Sequence, residues 1–332
     1  MADEYSDASD ASDAIGSVGV RADLAQSLID KVVSSGLADD GISIQTLQPG
    51  DVANPDVDIT IRQNDNGTLT ITSKADPNAT IVVGNDDGNR IVTEGATNDT
   101  ITTGGSGNVI RALGGDDNID LSGSQGQNKV WAGAGNDTVI GSSGDDTIGA
   151  GSGDDLIDLS AGGNNKVFGG SGNNTITGGA GNDTIFGGAG QGDAELSTGG
   201  GDNVVWGGTG NNTITGGDGN NTIGGGSGDD IITLGSGNNT VFGGAGNDTI
   251  YSGDGSNLIW GGGGGDNLIF AGANDTINGG AGQDTVVIAA SADDVTVSTE
   301  GDVTTITFSD GSTIILNNVS NIEFDAGDDD AS

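Results

Sequence analysis

Between residues 84 and 288 a large aliphatic residue returns at nearly every ninth position. The series begins Ile91, Ile101, Ile110, Ile119, Val130, Val139 and ends Val241, Ile250, Ile259, Leu268, Ile277, Val286. The positions between are glycine, aspartate, asparagine, serine and threonine. One- or two-residue insertions before Ile101, Val130, Val167 and Leu196 fall in the polar stretch and leave the rhythm intact. A nine-residue unit cannot bury its one aliphatic side chain alone, so it must stack on its neighbours. The pattern predicts a short strand with its middle residue pointing inward, followed by a polar turn. Two units then make one coil, and coils stack about 4.8 Å apart. The chain is read as an all-β solenoid, a parallel β-roll over 84–288.

The flanks follow other rhythms. Residues 1–20 are acidic and read as an arm without structure. Residues 22–34 place Leu24, Leu28 and Val32 on one helical face, with Gly36 as a stop. The period then becomes two in 42–47, 56–63 and 68–73, and Asn64-Asp65-Asn66-Gly67 between the last two is a hairpin signal. Residues 21–83 are thus a helix and a small β segment leading into the repeats. After Val286 longer alternating strands return, and 289–332 are read as a β cap, which closes an open sheet edge, and an acidic tail.

Charge changes this picture most. The chain has 332 residues, 67 glycines, 49 acidic and 8 basic residues, and a net charge of −41. Every Lys and Arg lies at or before Lys166. A compact C-terminal half bearing only carboxylates repels itself, and divalent metal is the simplest neutralising agent. The same acidity argues against nucleic acid and anionic membranes as partners. No apolar run is long enough for membrane insertion. Cysteine and histidine are absent, which removes disulfides, thiolate or imidazole metal sites, and the commonest general base. The chain is read as not an enzyme. The N-terminus lacks the basic and apolar regions of a cleaved signal peptide.

The best-formed units are Gly-Gly-Ala-Gly-Asn-Asp-Thr-Ile-Phe at 178–186 and the same with a final Tyr at 243–251. They resemble the RTX (repeats-in-toxin) calcium-binding repeat. That resemblance implies a right-handed parallel β-roll, Ca2+ as the ion, and a secreted, extracellular or cell-surface protein exported in one step by the type I route. Such repeats are usually attached to a protease, lipase, pore-former or adhesin. Here the regions outside the roll show no recognisable catalytic site. The expectation is a calcium-binding structural protein of a surface layer, matrix or filament that assembles with itself. The alternative is an adhesin or accessory module contacting a cell-surface glycan.

Position six of the repeat divides into two columns. Alternate units carry Asp99, Asp117, Asp137, Asp155, Asn174, Ala194, Asn212, Asp230, Asp248, Asp266 and Asp284. The others carry mainly asparagine, with Asp146, Asp183 and Asp275 as the acidic exceptions. Calcium takes six to eight oxygens, several of them anionic. The eight aspartates of the first column and the three exceptions are the candidate ligands. Strong sites are expected on the Asp edge, and weak or absent ones on the Asn edge, where stacked amides can bond as a ladder. Position nine forms another column, holding Trp131, Phe168, Phe186, Trp206, Phe242 and Trp260, with Gly149 and Gly224 between. It points outward, so the rings are either a stiffening ladder or an interface.

Overall fold

In the computed structural model the described residues are 98–325 except 189 and 191, together with 88, 90–94, 96 and five strands further upstream. Those strands are Asp3–Tyr5, Ile44–Leu47, Ile59–Gln63, Leu69–Lys74 and Thr80–Val83. The helix expected at 22–34 lies outside the described residues. The chain divides into two compact units, 1–166 and 167–332.

In each unit the nine-residue period becomes two facing sets of strands, and from Lys129 onward one set is longer than the other. The first unit stacks Val109–Gly114, Lys129–Ala134 and Thr147–Ser152 in parallel, with Val130 opposite both Ile110 and Ile148. Its facing strands Asn118–Ser124, Thr138–Ile140 and Leu156–Asp158 set Val139 opposite Ile119 and Ile157. The second unit repeats this with longer strands Thr184–Gly188, Val204–Thr209, Thr222–Ser227, Thr240–Ala245, Leu258–Gly263 and Thr276–Gly280. The facing sheet runs from Thr175–Thr177 to Thr285–Ile288. The anchors of both sheets, such as Ile185, Val205, Ile223, Ile214, Ile232 and Ile250, are fully buried. Each such burial is worth about 1.5–3 kcal/mol, so a core one aliphatic residue deep per strand is held by repetition.

The turns explain the glycines. Gly244 has φ +121°, and a Cβ there would overlap the carbonyl oxygen of Gly226 in the preceding coil. Stacked turns are too close to admit a side chain at that position.

Strands also occur on both flanks of the repeats. Ile59–Gln63 and Leu69–Lys74 pair antiparallel, and the second strand runs parallel to Arg90–Glu94 at the start of the roll. Asp3–Tyr5, in the stretch read as an arm without structure, pairs antiparallel with Ile44–Leu47. At the other end Val295–Glu300, Val303–Phe308 and Thr313–Asn317 form an antiparallel meander. Its last strand lies against Thr276–Gly280, while Asn321–Phe324 continues the shorter-strand sheet beside Thr285–Ile288.

One anchor is displaced. Leu268 was expected in the core, but Ile269 is the fully buried residue and stands opposite Ile250 and Val286. The run Gly261–Gly265 absorbs one extra residue, and a one-residue slip exchanges the two faces of a strand. Ile269→Ala should therefore cost about 2–5 kcal/mol. Leu268→Ala should cost clearly less, as compared by thermal unfolding in calcium.

Candidate metal sites

The turn from a longer to a shorter strand carries the Asp column. In the first unit the N–H of Asp99 donates to Asp117 Oδ1 at 2.7 Å, Asp117 to Asp137 at 2.8 Å, and Asp137 to Asp155 at 2.8 Å. In the second the same ladder runs from Ala194 through Asn212, Asp230, Asp248 and Asn267 to Asp284. Each carboxylate thus spends one oxygen on its neighbour's backbone. The other oxygen, Oδ2, of Asp117, Asp137, Asp230, Asp248 and Asp284 is buried with no hydrogen-bond partner. Orphaned anionic oxygens are among the most costly groups a fold can bury.

What faces them is also oxygen. A Cβ built on Gly225 would overlap Asp230 Oδ2 and crowd the Gly243 carbonyl oxygen. The same holds at Gly243 for Asp248 Oδ2 and Gly261 O, and at Gly279 for Asp284 Oδ2 and Asn318 O. Each unsubstituted glycine leaves a gap where a carboxylate and a carbonyl of the next coil converge without a donor. Among the described residues no three acidic side chains come together, so most of a cation's oxygens would have to be carbonyls. A hard divalent cation fits this donor set.

The opposite edge is different. Asn239 Nδ2 donates to Asn257 Oδ1 at 2.9 Å, and Asn203 Nδ2 to Asn221 Oδ1 at 3.0 Å, so stacked amides satisfy one another. The acidic exceptions differ among themselves. Asp146 accepts from Asn128 on Oδ1 and from the N–H and hydroxyl of Ser142 on Oδ2. Asp275 accepts from Asn257 on Oδ1 and from the Gly272 N–H on Oδ2. Asp183 lies beside Gly178 and the Thr198 carbonyl.

The family model of the RTX calcium-binding nonapeptide repeat matches residues 95–123, 122–157, 160–193, 197–232, 233–268 and 262–295. The chain belongs to this family. No curated protein shows a match to it. As RTX repeats bind calcium, calcium is the cation that the oxygen-lined gaps fit.

Without the ion, burial pushes the carboxyls of Asp117, Asp137, Asp155, Asp230 and Asp248 up, opposed in part by the backbone N–H of the preceding coil. Asp117 and Asp155 rise to about 7, and Asp137 and Asp230 to about 6, from an ordinary 3.8. Neighbouring carboxylates add to the rise at Asp117, where Asp137 and Asp99 stand on either side.

Asp266 was expected in this column, but the same one-residue slip puts Asn267 there. Asp266 is exposed and belongs to a second ladder at position five, which the sequence reading passed over. In the first unit that ladder is Asn98, Asp116, Asn136, Asp154, each N–H donating to the Oδ1 before it. In the second it is Asn173, Asp193, Asn211, Asp229, Asn247, Asp266. Amide and carboxylate alternate without exception. Carboxylates stacked directly would repel at about 4.8 Å, and an interleaved amide doubles that spacing. The alternation is visible in the sequence once position five is sorted by coil.

The aromatic column points outward as expected. Phe168 and Phe186 stack at 5.2 Å, and Phe242 and Trp260 at 4.7 Å. Trp206 leans across Gly224, whose missing side chain leaves room, and stacks on Phe242 at 6.3 Å. In the first unit Trp131 packs under the Arg111 guanidinium at 4.9 Å.

Two predictions follow from the edge chemistry. Asp248→Asn should lower the number of calcium ions bound by at least one, while Asn239→Ala should leave it unchanged, as counted by titration calorimetry. The second concerns pH. Folded carboxyls raised above 3.8 hold their protons more tightly than the unfolded chain does. The stability they contribute is complete below pH 3.8 and lost as pH rises through about 6 to 7. In chelator, circular dichroism should show β structure increasing as pH falls from about 8 to about 5.

Proposed function

We propose that this protein is a secreted, calcium-folded structural protein that assembles with copies of itself in a surface layer, matrix or filament. The observation that carries the reading is a face without charge. The longer strands of the second unit, from Thr184–Gly188 to Thr276–Gly280, contain no Asp, Glu, Lys or Arg, in a chain of net charge −41. Phe168, Trp206 and Phe242 stand exposed in that unit, and aromatic rings contribute much contact area per residue. A strongly anionic protein meets its own copy at least cost where charge is lowest.

Export fits the same chemistry. In a low-calcium cytosol the Asp edge lacks its counter-charge and the chain stays unfolded, ready for a one-step exporter. Outside the cell calcium supplies the charge, and folding follows. The carbohydrate-contacting reading is less well supported. Sugars rest on ring faces, and here Phe168, Phe186, Phe242 and Trp260 turn their faces to one another and their edges to solvent.

The double variant Phe186→Ser, Trp206→Ser tests this. It should fold with calcium as the wild type does, yet remain monomeric where light scattering and electron micrographs show the wild type assembling. Assembly equal to wild type would reduce the rings to a ladder. A wild type that stays monomeric in calcium and binds glycans would favour the adhesin reading.

A further inference from the structure

The Asp column lapses at three successive positions, Asn174, Ala194 and Asn212, and singly at Asn267, and what replaces it is not simply absence. Beside Gly225 and Gly243, an Asp Oδ2 without a hydrogen-bond partner and a carbonyl oxygen border the same gap. Beside Gly207, the equivalent place is taken by Asn212 Nδ2 next to the Gly225 carbonyl. That single nitrogen stands 3.1 Å from Gly210 O, 3.3 Å from Gly225 O and 2.9 Å from Asp230 Oδ1. It gathers two turn carbonyls and a carboxylate, the oxygen types a calcium ion would draw together. Asn174 Nδ2 likewise reaches Gly187 O at 3.2 Å. Ala194 presents only a methyl group and adds no charge.

The opposite edge of the same coils is also nearly free of charge inside. Asn203 Nδ2 bonds Gly201 O at 2.9 Å and Asn221 Oδ1 at 3.0 Å. Among the inner position-six residues from 174 to 221, Asp183 is the one carboxylate. The coils around it keep a full aliphatic core, with Ile176, Ile185, Leu196, Val205, Ile214 and Ile223 buried.

We infer that in Asn174 and Asn212 the side-chain amide stands in for the ion, so that residues 175–222 form a calcium-independent segment of the roll. A solenoid is held by nearest-neighbour contacts and folds outward from its most stable repeats. This segment therefore stays ordered longest as calcium is withdrawn, and it offers a finished edge to the coils of Asp230 and Asp248 when calcium returns. The residue at position six sets whether a coil waits for calcium or closes without it.

The inference rests on calcium-dependent folding, and one experiment separates the two. Hydrogen exchange of the full chain is followed by mass spectrometry as free calcium is lowered with chelator, and bound calcium is counted by atomic emission. In the wild type, 175–222 should keep protection at least tenfold lower in free calcium than 240–288. Asn212→Asp should bind one more calcium and lose that advantage. Asp230→Asn should bind one fewer and extend the protected segment towards Thr249, a check that holds even if the first variant folds poorly. Simultaneous loss of protection along the wild-type unit, or an unchanged ion count in both variants, would overturn the inference. A wild type indifferent to calcium would instead fault the calcium-dependent folding beneath it.

Discussion

Stacking identical coils about 4.8 Å apart sets each side chain directly against its copy in the next coil. For the buried aliphatic residues that repetition is favourable, since each adds apolar burial. For the aspartates at position six it is a liability. Asp117, Asp137, Asp230, Asp248 and Asp284 each bury one carboxylate oxygen with no donor. The nearby glycine turns offer carbonyls, which make the shortage of positive charge worse. Two other features bear on this unmet charge: the tight glycine turns that leave the gap and the lack of basic residues after Lys166.

The other columns show ways of avoiding the same difficulty without an ion. On the Asn edge an amide both gives and accepts: Asn203 donates to Asn221 and Asn239 to Asn257, while Asn221 Nδ2 turns to the Gly219 carbonyl. At position five every carboxylate is separated from the next by an amide and faces water. Asp146 is met by Asn128 and Ser142. Only the inner Asp column leaves repeated carboxylate oxygens without protein donors among the described residues, and there the donor set suits a metal ion. That contrast also leaves the longer-strand face of the second unit free of charge, the feature from which self-association is argued.

Much of this was legible in the sequence because the nine-residue period is a direct image of the coil. The anchors, the parallel stacking, the two unequal edges and the outward aromatic column can all be read by counting. Counting fails where one residue is inserted between two apolar neighbours. Leu268 and Ile269 are equally suited to the core, and only the backbone decides, taking Asp266 out of the inner column and putting Asn267 in. Counting also cannot see donors from other positions. Ser142 and Gly272 satisfy Asp146 and Asp275 through turn geometry, so three aspartates that look alike on the Asn edge are not equivalent. Nor does the letter N announce that Asn212 reaches three oxygens at once.

The central claim is that buried, unmatched carboxylates couple folding to calcium. Far-UV circular dichroism at about pH 8, above the raised carboxyl values of about 6 to 7, tests it most directly. The wild-type chain should give a predominantly unordered spectrum in chelator and a β spectrum when millimolar calcium is added, reversibly. A full β spectrum in chelator at that pH, unchanged by calcium, would contradict the account.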